Sequence, residues 1–171
     1  MTSTNDNDSI EAQVWAEYLN SASLIEIHIS VIDSNWDSNG FLLRWLLQNP
    51  QIDKATVLIA YWMSGPKWLK QYQSLEECTA FARNSYALIE ELEEKYVSGF
   101  YEQSSFELDP SNDQDGFDWT AEYSEIEVSQ EIPQKMFEKL SGLTIERPEE
   151  GYIEGLPEAV YEKLENLLEN A

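Results

Sequence analysis

The chain is poor in basic residues, thiols, imidazoles and long apolar runs. Ten Lys and Arg stand against 33 Asp and Glu in 171 residues, a formal net charge of -23. That balance repels phosphate backbones and speeds association with basic partners, so direct nucleic-acid binding is not expected. The single cysteine, Cys78, rules out an internal disulfide or a cysteine-based zinc cluster. The longest apolar stretch, ATVLIAYWM, falls short of the ~20 residues that span a bilayer. The N-terminus, MTSTNDNDSIEAQ, has neither the basic nor the apolar part of a leader. The expectation is a cytoplasmic protein away from membranes.

Signatures of catalysis are equally scarce. There is no phosphate loop, dinucleotide glycine pattern, nucleophile elbow or zinc-binding helix motif. His28 stands alone in an apolar setting, and one imidazole cannot supply both metal ligation and acid-base work, so a structural role is expected. Cys78 falls on the apolar face of its segment beside Glu76 and Glu77, which disfavour a thiolate and favour a core role. Paired carboxylates are too numerous for any one pair to mark hydrolytic chemistry. No catalytic residue, metal site or cofactor is assigned, and a non-enzymatic protein is expected.

What the chain does have is core material: 42% hydrophobic residues, with six Trp and nine Tyr. At this length one domain can bury roughly 70% of its unfolded surface. Residues 1–8 read as a disordered polar tail, and 9–171 as a single domain. Its parts are a helical body (9–96), an acidic extended segment (97–131) and C-terminal short helices (132–171). Asp8 and Glu11 form a plausible capping pair for a helix carrying Val14, Trp15, Tyr18 and Leu19. SLIEIHISVID fits neither the helical nor the strand period cleanly, with helix the preferred reading. Phe41, Leu42, Trp45 and Leu46 share a helical face that ends at Asn49-Pro50. Asp53 can cap a helix that is apolar nearly all round, as expected at the centre of a bundle. A capping box at Ser74 and Glu77 predicts a helix to about Tyr96, with Leu75, Cys78, Phe81, Ala82, Tyr86, Ile89 and Leu92 inward.

Beyond Tyr96 the texture changes. SGFYEQSSFELDP and AEYSEIEVSQEIP alternate enough for short strands or extended arms, with turn residues between them. IPQKMFEKLSG and LPEAVYEKLEN share a proline-led pattern that predicts two short helices. The fold class expected is mainly α: a compact helical array with a small β-hairpin or extended arm around residues 100–131.

The run from Tyr96 to Gln134 holds ten carboxylates and no Lys or Arg. A metal loop, a partner-binding face and a solvated linker compete to explain it. With Gly116 at position six of a calcium loop, Ser111, Asp113 and Asp115 fall at positions one, three and five and Glu122 at twelve. Ser111 replaces the usual leading aspartate and Asp118 replaces an apolar residue, so a calcium-responsive module stays an alternative. In the NWDSNG loop, Leu46 stands where the bidentate glutamate belongs, and an Asx-rich turn is the better reading. Trp45, Trp62, Phe81 and Tyr86 follow helical spacing and are read as core. Phe117, Trp119 and Tyr123 instead alternate with Asp113, Asp115, Asp118, Glu122 and Glu125. Rings ringed by acids suit a surface that seats on a basic cleft, and these eight residues are the candidate partner-binding set. Equally, the rings can pack on the helical body while the acids face water.

Residues 26–69, about a quarter of the chain, carry Asn35, Trp36, Asp37, Gly40, Phe41, Asn49, Pro50, Asp53 and Gly65. In this pattern the stretch resembles the bacterial domain-of-unknown-function family 4274, with a weaker extension toward residue 110 and a loop one residue longer at Ser38-Asn39. The residues themselves read as fold specification: turn closure by Asn35 and Asp37, backbone relief at Gly40, anchoring by Trp36 and Phe41, and a cap at Asp53. The resemblance implies a bacterial source and the company of immunity proteins of polymorphic or contact-dependent toxin systems. Together with the charge, it leads to the expectation of an immunity protein that binds a cognate basic toxin domain, with a nuclease the preferred partner. The alternative is a structural acidic helical domain without catalytic activity.

Overall fold

The computed structural model describes residues 4–36 and 40–170 and is mainly α-helical. It divides into two compact units, Met1–Trp45 with Glu146–Ala171, and Leu46–Ile145.

In the first unit, α1 (Thr4–Ser21) starts ahead of Asp8, so the Asp8-Glu11 pair lies inside the helix and residues 4–8 of the expected tail are helical. Its face buries Val14, Trp15, Tyr18 and Leu19 as the spacing predicts. SLIEIHISVID resolves as helix: α2 (Leu24–Asp33) begins with a reciprocal capping box between Ser23 and Glu26. His28 is buried, and that burial pushes its pKa down to about 4. The Trp36 indole donates to the Val31 carbonyl at 3.1 Å, closing the start of the NWDSNG loop. Asp37 and the Ser38-Asn39 step lie outside the described residues, as do the first three residues of the expected tail. α3 (Gly40–Gln48), whose residues up to Trp45 belong to this unit and the rest to the second, buries Leu42, Leu43, Leu46 and Leu47 and leaves Phe41 and Trp45 half-buried, so its inward stripe is turned from the expected one.

The regular strand pair lies at β1 (Tyr152–Ile153) and β2 (Leu156–Pro157), antiparallel and outside the 100–131 stretch, whose first part instead takes the extended-arm form of the expectation. Its central residues Glu154 and Gly155 both take positive φ (51° and 85°), the pattern of a type I′ turn, whose twist matches the flanking strands. Gly155 is also sterically required, since a Cβ there would lie 2.3 Å from the Ser34 hydroxyl. α7 (Glu158–Glu169) packs on α1, with Lys163 paired to Glu17 at 2.8 Å.

The second unit is built around α4 (Lys54–Met63), buried from Ala55 to Trp62 as its all-round apolar pattern predicts. Asp53 caps it through the Ala55 N–H (2.9 Å), and its other oxygen accepts the Ser105 N–H (2.5 Å), tying the extended segment to the helix start. After Gly65 (φ 65°) comes the single turn α5 (Pro66–Leu69). α6 (Ala82–Ser98) then packs on α4. It starts later than the Ser74-Glu77 pair predicts, because residues 74–81 form consecutive turns and the Thr79 hydroxyl accepts the Ala82 N–H instead. Cys78, Ala82, Tyr86, Ile89 and Leu92 are inward as expected, but Leu75 and Phe81 are exposed. Phe81 sits at the edge of the inward stripe, on the side of the only just buried Leu88, and stays 83% exposed.

The two proline-led repeats take different forms. The second is α7, whereas the first makes only a 3-10 turn, Gln134–Phe137. Leu140 is drawn instead into a bridge with Leu108, whose N–H and C=O pair at 3.1 and 2.8 Å. A second bridge joins Phe106 to Leu143. Residues 100–131 are otherwise irregular, apart from the 3-10 turn Trp119–Ala121.

Candidate functional site

Residues 106–130 run across the second unit, and their carboxylates do two kinds of work. Asp113 is a hub. One of its oxygens accepts the N–H groups of Asp115 and Phe117, both at 2.9 Å, and the other accepts the Trp119 indole at 2.7 Å. The Asp113 N–H donates to the Phe117 carbonyl, and Gly116 supplies the positive φ (78°) that the turn needs. Asp118 likewise caps the following 3-10 turn, accepting the Thr120 hydroxyl and the Ala121 N–H at 2.6 and 3.1 Å. These two acids hold the loop's own backbone, and such charge-assisted bonds are stronger than neutral ones. Asp115 and Glu125 point into solvent, while Glu122 is partly buried and its pKa is raised for that reason.

The loop is fastened to the body behind it. Lys67 donates to the Thr120 carbonyl at 2.5 Å, and the Ser129 N–H to the Lys70 carbonyl at 2.7 Å. The Gln130 amide reaches both the Gln73 carbonyl (2.7 Å) and the Tyr86 hydroxyl (2.6 Å). Tyr123, itself at φ 54°, lays its ring over Gly65, whose missing Cβ would lie 3.3 Å from that ring. This explains the glycine beyond its own positive φ.

Of the eight residues singled out from sequence, the structure brings Asp113, Phe117 and Trp119 into direct contact. The two rings meet edge to face with centroids 4.4 Å apart. Trp119 is half-buried, whereas Phe117 and Tyr123 are 45% and 38% exposed. Neither the core nor the surface reading of the three rings holds for all of them. Among the described residues, the ion pairs place no Lys or Arg against Asp113, Asp115, Asp118, Glu122 or Glu125. Asp109 does have one, Lys139 at 3.4 Å, and the Ser111 hydroxyl above all, then the Ser111 N–H and Lys139, lower its carboxyl pKa.

The calcium-loop alignment meets a specific obstacle in this geometry. Both Asp113 oxygens are turned to N–H donors, and the Ser111 hydroxyl is hydrogen-bonded to Asp109 at 2.7 Å. Among the described residues no group of three or more His, Cys, Asp or Glu is placed to hold a metal ion.

Lys70 escaped the sequence reading. It is 1% exposed, donates to Glu90 at 2.8 Å and Glu93 at 3.0 Å, and Glu93 also accepts the buried Tyr61 hydroxyl at 2.6 Å. Burial works to lower the Lys70 pKa, but the two carboxylates outweigh it and leave the pKa raised. The only signal available was a lysine set between aromatics in KWLKQY, which does not separate a buried ammonium from a snorkelling one. With every partner satisfied, the cluster reads as a structural ion pair beneath the acid-lined outer face of α6, where Glu90, Glu91, Glu94, Val97 and Pro133 border an open groove of about 500 Å³.

No curated protein and no solved structure matches the chain. Residues 22–97, which run from α2 through α6 and contain the stretch on which the resemblance was read, match the family model described as Domain of unknown function (DUF4274).

Proposed function

We propose that the protein acts by binding rather than catalysis, as an acidic immunity protein that neutralises a basic bacterial toxin domain in the cytoplasm. The observation that carries this reading is the build of residues 106–127. A loop held by its own carboxylates and fastened to the body presents Phe117 and Tyr123 to solvent, beside Asp115, Asp118 and Glu125, for which the ion pairs among the described residues include no Lys or Arg. Such a surface suits a partner with a cationic cleft. Ordering cost is small because the loop is already fixed, the rings supply buried area, and the carboxylates steer and pair.

Within this proposal the eight residues divide by role. Asp113 and Asp118 keep the loop in shape, Trp119 buttresses Phe117, and Phe117, Tyr123, Asp115 and Glu125 meet the partner, with Glu122 at the rim. A nuclease toxin is the preferred partner, because a cleft that holds phosphate must be cationic and a surface of net charge -23 is its complement. The test is surface plasmon resonance of the purified protein against the protein encoded beside its gene, at low and high salt. A tight complex that forms faster at low salt is expected. No complex at either salt would return the acidity to solubility.

A further inference from the structure

We infer that the turn at residues 74–81 is a second anchor for the same basic partner, with Phe81 as the inserted side chain; this rests on the binding function proposed above. Phe81 is 83% exposed, the most exposed large apolar side chain in the described residues. Single exposed apolar residues are ordinary, but this one is not on a frayed end. Its turn is fixed from both sides: the Gln73 N–H donates to Glu77 at 3.1 Å, Cys78 is buried beneath, and the Thr79 hydroxyl accepts the Ala82 N–H at 3.3 Å. A phenyl ring held out on a fixed support, at the edge of an otherwise buried stripe, has the form of an interface anchor, which loses little conformational freedom on docking.

The chemistry of the partner follows from the surroundings of the ring. Leu75 is 38% exposed on the same turn, and the carboxylates of Glu76 and Glu77 are exposed between them. A hydrogen bond from Ser74 is the main cause that lowers the Glu76 pKa, with the charge of Arg83 a smaller one, and Arg83 donates to the Cys78 carbonyl at 3.5 Å. The matching surface is an apolar pocket rimmed by Lys or Arg. A second copy of this chain, carrying -23 itself, is a poor complement.

The test measures affinity and association rate for the protein encoded beside the gene, using wild type, Phe81→Ala and Glu76→Lys, with a thermal melt of each. Phe81→Ala is expected to weaken binding about tenfold or more with an unchanged melt, and Glu76→Lys chiefly to slow association. Tight wild-type binding that Phe81→Ala leaves untouched would overturn this inference while the binding function stands. Absence of wild-type binding would overturn both. A lowered melting temperature for Phe81→Ala, or a wild-type dimer that this change dissolves in light scattering, would assign the ring to folding or to self-association instead.

Discussion

Helix α4 and the loop 106–127 lie in the same unit and are both rich in aromatics, yet they are held by opposite means. In α4, Tyr61 and Trp62 are fully buried, meet edge to face at 5.5 Å, and send their polar atoms to Glu93 and the Met136 carbonyl. In the loop, Phe117 and Trp119 meet in a similar way, but the anchor beneath them is a carboxylate and one ring stays in water. Apolar burial fixes the first region and charge-assisted bonds to backbone N–H groups fix the second. An acid-rich segment can therefore be ordered without a core of its own, which is what a preformed recognition surface needs.

The comparison is most sharply tested where the expected loss is largest. Trp62→Ala removes a 1% exposed indole and its bond to Met136, and should cost about 3–5 kcal/mol in denaturant unfolding. A cost under about 1 kcal/mol would mean that α4 is not the centre of its unit.

Next is the pH dependence of the first unit. His28 is held near pKa 4 when folded and returns to about 6.5 when unfolded, so the unfolded chain binds the proton first as pH falls. Its contribution to stability is complete above about pH 6.5, shrinks by about 3 kcal/mol down to pH 4, and is constant below. His28→Phe should flatten that part of the stability curve, and the wild-type-minus-variant difference isolates it from the carboxylates titrating nearby.

A smaller, local effect is expected in the loop. Asp113→Ala removes the shared acceptor of Asp115, Phe117 and Trp119 and should cost about 2 kcal/mol of local order. Hydrogen exchange should quicken at residues 113–121 while the amides of α4 keep their protection. If both regions lose protection together, the loop is part of the core after all.

How much of this was legible beforehand depends on which force specified each part. α4, the Asp53 cap, α7 and the inward positions of Ile89 and Leu92 follow from periodicity and capping, which act between near neighbours, whereas the mixed spacing of α2 leaves helix only the preferred reading. The irregular path of 100–131 is set by distant partners: Ser105 on Asp53, Leu108 on Leu140, and Gln130 on Gln73 and Tyr86. Spacing carries no trace of these contacts, so the proline-led pattern predicts a helical Leu140 like its counterpart in α7. The candidate site was legible as a set of residues but not as roles. Nothing in the string separates Asp113, which is spent on backbone N–H groups, from Asp115 two positions on, which faces water. Phe81 and Lys70 show the same limit from opposite sides, an apolar residue left outside and a charged one taken in.

The most direct test of a loop built for recognition is Phe117→Ala, followed by both a thermal melt and titration with the protein encoded beside the gene. The account predicts a change in stability within about 0.5 kcal/mol and a loss of affinity of about tenfold or more. A destabilised protein that binds as tightly as wild type would contradict it and place Phe117 among the residues that fold the chain.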